Sequence, residues 1–384
     1  EDPLKELVRE LGLPIAPMGG AAMIMDDRLL ANVDDIRESL GDDAATACAG
    51  FDRVARDAVG PRDFYRGPQD RYGPPPSGRF DTLLARLSDP RARRYIEQFI
   101  HSDLATEPAR TTVAYGLDNY LMNDPAYMGL YSIEGGNERL VQALDARVRA
   151  TRRMRHRVTG ISRGQGSRLR VTAASDDGTH DDEFDLVVVA LPVDHLKTIE
   201  FSGARLADAL RRHVVHHDHP ADYLRITLLF EQAFWRPRLA DSFCMLDRFG
   251  GCCLYDESSR DPGATHGTLG WLIGVGAAVR MSRLADDDLV AAALDSLPTW
   301  LRAEGQRMLE ARVHRWVGAV SAMPGGPTPL PLDRCHQPEP IEHAGLFLVG
   351  DYMFDSTLNG VLDSAEHVAG WISDLTAGCQ ESAA

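Results

Sequence analysis

The chain lacks a GxGxxG turn, a long apolar run, a paired cysteine framework and an excess of basic residues, and each absence removes a class of protein. No apolar stretch reaches the ~18 residues that a bilayer-spanning helix requires. The longest candidate, Trp271 to Val279, is short and interrupted by Gly274 and Gly276. The opening residues Glu1 to Arg9 are charged and helix-like, unlike a secretory signal. Six cysteines (Cys48, Cys244, Cys252, Cys253, Cys335, Cys379) form no zinc-type CxxC pair, so free thiols in a reducing cytoplasm are expected and a metal site is not. Lysine plus arginine total 41 against 57 acids, a formal charge of −16. Such a surface repels nucleic acid and anionic membranes. The sequence begins with Glu rather than Met, from which a processed or truncated product is expected.

What is present describes an ordinary globular protein, 44% hydrophobic and 26% charged, and 384 residues predict two or three domains. Leu4, Leu7, Val8 and Leu11 share a helical face that Gly12 and Pro14 terminate. Arg66 to Gly78 reads as an irregular connection, and residues 79 to 130 as short helices. Asn137 can cap a helix with the apolar stripe Leu140, Val141, Leu144 and Val148. Residues 154–163, 168–174 and 182–190 read as three strands, the last ending in the apolar run Leu186 to Ala190 before Leu191-Pro192. A continuous apolar run suits a strand covered on both faces, as in a parallel sheet. Tyr223 to Phe230 is another strand, residues 283–310 are mainly helical, and Leu346 to Val349 is again a buried strand. His213, His216, His217, Asp218 and His219 read as a solvated turn ending at Pro220.

The densest chemical signal is LFLVGDYMFDSTLNGVLDSAEHVAGWI, a strand, loop and helix near the end. Gly350 lets backbone approach a ligand, Asp351 offers a carboxylate to a hydroxyl, and Asn359-Gly360 opens a helix whose N–H groups can face an anion. This segment resembles the C-terminal signature of the flavin amine oxidase family, related to phytoene desaturases and protoporphyrinogen oxidases. Further segments match in order: Glu10-Leu11-Gly12-Leu13, Tyr131 to Asn137 with its Gly135-Gly136 turn, Arg157 to Ile161, and Val187 to Pro192 followed by Leu196 and Phe201.

The resemblance implies an α/β, two-domain FAD-linked oxidoreductase fold. Its FAD-binding region would combine residues 1–20, 131–200 and 331–384, and its substrate-binding region residues 21–130 and 201–330. It implies that Val158 meets the adenine, that Pro192 marks the exit of a cofactor-domain strand, and that Gly350 and Asp351 lie against the FAD chain. Asn359, Gly360 and Val361 would face the pyrimidine edge of the flavin, where a helix N-terminus stabilises negative charge. The family's GxGxxG fingerprint is expected before Glu1, in a first βαβ unit supplied by a preceding segment or a partner chain. Arg225 falls where many amine oxidases carry a lysine that holds a water near flavin N5. Arginine effectively keeps its proton, which disfavours fast reaction with oxygen. Val361 stands where an aromatic-cage tyrosine is found in other members. Residues Ala319 to Pro327 contain no cysteine, so FAD is expected to be bound non-covalently. The implied activity is hydride transfer from a C–N or C–C bond of a small substrate to flavin. A desaturase or dehydrogenase, and a non-catalytic accessory chain lacking the cofactor-binding half, are the alternatives.

Overall fold

The protein is described by a computed structural model, which covers residues 3–64, 76–261, 263–302, 307–328 and 330–381. The connection expected from Arg66 therefore lies, through residue 75, outside the described residues. The chain forms two compact units. One comprises Glu1–Leu7, Arg147–Pro220 and Ala319–Ala384; the other comprises Val8–Ala146 and Ala221–Gly318. In chain order the strands are β1 (Ile15–Pro17), β2 (Met23–Met25), β3 (Arg28–Leu30), β4 (Tyr131–Ile133), β5 (Arg157–Arg163), β6 (Leu169–Ser175), β7 (Gly178–Phe184), β8 (Val187–Ala190), β9 (Glu200–Phe201), β10 (Pro220–Phe230), β11 (Phe243–Leu246), β12 (Cys252–Asp256), β13 (Gly267–Gly274), β14 (Met308–Ser321) and β15 (Leu346–Val349).

The unit built on Val8–Ala146 and Ala221–Gly318 centres on a sheet of order β14-β10-β13-β12-β11-β2-β3. Strand residues alternate between faces, and β10 shows the consequence. Leu224, Ile226, Leu228 and Phe230 are buried with Leu269, Trp271 and Ile273 of β13 against the helices Val275–Met281 and Asp286–Ser296. Tyr223, Arg225, Thr227 and Leu229 occupy the other face and remain part-exposed. On that second face Met25, Phe243, Met245 and Cys253 pack against a helical layer through Phe51, Ile96, Phe99 and Leu117. The helix Pro90–Leu104 belongs to this layer because its sequence specifies it at both ends. Asp89 accepts the N–H groups of Arg91 and Ala92, Pro90 occupies the first turn, and Ala105 ends it in the left-handed region at φ 55°.

The other unit holds a four-stranded sheet of order β7-β6-β5-β9 and a separate parallel pair, β15 with β8. The segment read as one strand over 182–190 is divided in two. β7 begins at Gly178, just after the chain has turned back on β6, and β8 begins at Val187 as the partner of β15. Polar residues at Asp181 and Glu183 suit a surface hairpin, whereas Val187–Val189 suits a parallel pair. Yet only Val189 of β8 is fully buried, and Val188 is 45% exposed, so β8 is not covered on both faces.

Two other sequence readings are corrected. The helix Glu138–Arg147 forms, but of its expected stripe only Leu140 is buried; Val141 and Leu144 are exposed, as is Val148 beyond its end. The histidine-rich stretch is no solvated turn. It completes the helix Ala204–His217, whose inward face is Leu206, Ala209, Leu210, His213 and His217, spaced at helical intervals.

Candidate functional site

β8 and β15 run parallel with Leu346 opposite Val187 and Val349 opposite Ala190. The chain therefore leaves both strands at the same end, with Leu191-Pro192 beside Gly350-Asp351. In open α/β sheets that carboxyl end is where ligands collect. Pro192 caps the short helix Val193–Leu196, and its ring is exposed. Val158 lies on β5, part-buried against the same apolar cluster as Val189, Val193, Leu348 and Tyr352, and a register shift follows it. Asp351 opens a 3-10 turn over Asp351–Met353. Burial raises its carboxyl above the usual range, against hydrogen bonding by the Tyr352 N–H, which lowers it.

The last helix, Leu358–Glu381, begins two residues earlier than Gly360, with Thr357 as its cap: the Thr357 hydroxyl accepts the Gly360 N–H at 3.2 Å. Gly360 is explained within the chain. A Cβ there would lie 1.9 Å from the Asp355 carbonyl oxygen, and the residue does not use positive φ. At Gly350 a Cβ would meet the Tyr352 ring at 2.5 Å, and its N–H donates to the Ser364 hydroxyl at 2.9 Å. The amide oxygen of Asn359 is buried and accepts no hydrogen bond from the described residues. Val361 is 47% exposed at the helix start. An orphan acceptor, a helix N-terminus and a half-buried carboxylate together suit a ligand that donates N–H and O–H bonds and carries negative charge, as FAD does.

Sequence reasoning missed the residues that hold this turn. Ser364 is fully buried and joins Gly350 to His336, whose Nε2 lies 3.1 Å from its hydroxyl. His213 Nε2 is 3.0 Å from the Tyr352 hydroxyl. The signal available was the helical spacing of His213 and His217 with Leu206 and Leu210.

Arg225 lies on β10 in the other unit. Its guanidinium pairs with Glu257, stands 4.7 Å above the Tyr255 ring, and fills the space left by Gly270, where a Cβ would meet it at 2.8 Å. Arg260 binds the same carboxylate at 2.6 Å. Burial lowers the pKa of Arg225, and the neighbouring Arg260 adds to that. Among the described residues no three His, Cys, Asp or Glu side chains are placed to hold a metal, and no helix is long and apolar enough to cross a membrane. Five cysteines are free and buried; the side chain of Cys379 lies outside the description.

A parallel strand pair leading into a glycine turn and a helix N-terminus is an arrangement at which α/β proteins collect phosphate-bearing ligands. The sequence profile of the flavin containing amine oxidoreductases matches residues 73–372. The chain belongs to that family and is a flavin-dependent oxidoreductase. Solved structures of similar fold include cyclohexylamine oxidase from Brevibacterium oxydans IH-35A, 18% identical with TM-score 0.72 over 97% of this chain and 85% of the other. Putrescine oxidase bound to putrescine is 16% identical with TM-score 0.64, over 97% and 85%. A putative protoporphyrinogen oxidase from Exiguobacterium sp. 255-15 is 17% identical with TM-score 0.64, over 96% and 84%. At these identities the likeness is one of fold. No curated protein matches the sequence.

Proposed function

We propose that the chain binds FAD non-covalently at the carboxyl end of the β8–β15 pair and oxidises a C–N or C–C bond of a small molecule. The observation that carries this reading is the register of that pair, which brings Pro192 beside Gly350 and Asp351 at one strand end. When bound, FAD supplies the hydride acceptor. Asp351 would take cofactor hydroxyls, Asn359 an N–H of the flavin, and the Leu358–Glu381 helix start its developing charge. Val158 would support the adenine end. The FAD-binding region would comprise residues 1–20, 131–200 and 331–384, and the substrate region residues 21–130 and 201–330. Five buried free thiols suit a reducing compartment, and we place the protein in the cytoplasm.

A dehydrogenase or desaturase reading has its own support in Arg225, the candidate catalytic position. Held by Glu257 and Tyr255 and effectively unable to lose a proton, it suits a fixed charge better than the handling of a water for oxygen. Incubation with FAD, desalting and a visible spectrum test the proposal. A flavin band that denaturation releases as free FAD is expected. Colourless protein, also after addition of a GxGxxG segment, would favour an accessory chain.

A further inference from the structure

The Gly350-Asp351 turn stands on a chain of hydrogen bonds that runs inward from it. Ser364 lies one turn after Gly360 on the helix Leu358–Glu381, so the two share a helix face. The Gly350 N–H donates to the Ser364 hydroxyl at 2.9 Å, and that hydroxyl lies 3.1 Å from His336 Nε2. His336 Nδ1 is 2.8 Å from the Leu332 carbonyl oxygen. A carbonyl only accepts, so Nδ1 carries the proton and the neutral ring offers Nε2 as an acceptor. Every direction is then fixed: Gly350 N–H to Ser364, Ser364 O–H to His336, and His336 N–H to Leu332. Ser364 and His336 are fully buried and cannot exchange these bonds for solvent. Burial, with the neighbouring His367 adding to it, lowers the pKa of His336, against the Leu332 bond and Asp333, which raise it.

The Asp351 carboxylate takes its direction from this backbone. It is hydrogen-bonded by the Tyr352 N–H and by its own N–H, both of which belong to the turn. The turn closes as the Met353 N–H donates to the Gly350 carbonyl at 3.3 Å and the Phe354 N–H to the Asp351 carbonyl at 2.9 Å. We propose that Ser364 is a positioning residue: with His336 as its acceptor, it fixes the Gly350-Asp351 backbone and so aims the Asp351 carboxylate at a hydroxyl of bound cofactor. This rests on the FAD reading above. Without the Ser364 hydroxyl, the Gly350 N–H and His336 Nε2 are left buried and unsatisfied. Rotation of the Val349–Gly350 peptide relieves that, and Asp351 turns with it.

The test is a double-mutant cycle read by FAD titration, with circular dichroism confirming that each variant folds. Ser364→Ala should weaken FAD binding about ten-fold or more, the size of a hydrogen bond to a charged group. In an Asp351→Ala background the same change should cost less than about two-fold, because the carboxylate it aims is gone. His336→Gln keeps an acceptor near the Nε2 position and should bind almost as wild type, whereas His336→Leu should resemble Ser364→Ala; this pair serves the same cycle if Ser364→Ala does not fold. Equal losses in the two backgrounds mean a structural role only and overturn the proposal, as does unchanged affinity in Ser364→Ala. Hydrogen exchange of the cofactor-free chain gives a separate readout. The Gly350 to Phe354 amides should exchange about ten-fold faster in Ser364→Ala while Leu346–Val349 keeps its protection. If wild type takes up no FAD, the cofactor reading fails, and exchange still decides whether Ser364 holds the turn: equal rates in the two proteins overturn the proposal.

Discussion

Acid should loosen the unit that carries β8 and β15, through two histidines. His213 and His217 lie one turn apart on the helix Ala204–His217, their ring centroids 4.6 Å apart, and both are buried. Neither nitrogen of His217 has a hydrogen-bond partner among the described residues. Burial, with the neighbouring histidines adding to it, lowers His213 to about 3 and His217 to about 2. The surrounding groups give no anion to rescue a charged ring. Tyr352 stays neutral, His216 and His336 add to the positive side, and Asp218 is held by Lys197. An unfolded histidine takes its proton near pH 6.5, so the opened state binds more protons than the folded one below that value. Stability is therefore complete above about pH 6.5 and falls with pH down to the folded pKa. From pH 7.5 to pH 5 each ring costs about 2 kcal/mol, or about 30-fold in the opening equilibrium. Hydrogen exchange of the Ala204–His217 amides, corrected for intrinsic rates, should show that loss of protection. His217→Phe breaks no hydrogen bond and should remove one ring's share, leaving a drop of about 30-fold where wild type shows more. Equal drops in the two proteins, or protection that does not respond to pH, would refute the reasoning.

Three further substitutions test the packing. Gly360→Ala should destabilise the chain by about 1–3 kcal/mol in urea unfolding even without cofactor, because its Cβ would strike the Asp355 carbonyl; unchanged stability with weakened FAD binding would instead place the flavin at that residue. Glu257→Gln should cost about 3 kcal/mol by leaving Arg225 and Arg260 without their shared anion, and Gly270→Ala should disturb the same pair, both read from unfolding midpoints. If Glu257→Gln is neutral, the pair does not hold Arg225 in place.

Much of the fold was legible because local chemistry and tertiary outcome agree. Leu346–Val349 and Tyr223–Phe230 became strands, and the ordered motifs from Tyr131 to Val361 pointed to the family that the residues 73–372 match establishes. Where one residue type serves two environments, the sequence was ambiguous. Val187 to Ala190 is apolar throughout, which describes a strand with covered faces, yet Val188 is exposed because nothing among the described residues covers it. His213 and His217 look polar in a list and read as a surface turn; their spacing with Leu206 and Leu210 puts them inside.

The sequence by itself determined the apolar β8 and β15 segments, the Gly350-Asp351 turn and the helix that Thr357 caps. These depend on local propensity, glycine and capping groups within a few residues of one another. Only the tertiary structure decided that Ala190 faces Val349 across about 160 residues of chain, that Ser364 ties the Gly350 turn to His336, and that Gly270 makes room for Arg225 and Glu257. Such groupings are set by burial and by steric fit between distant elements, and neither is written in any single stretch of residues.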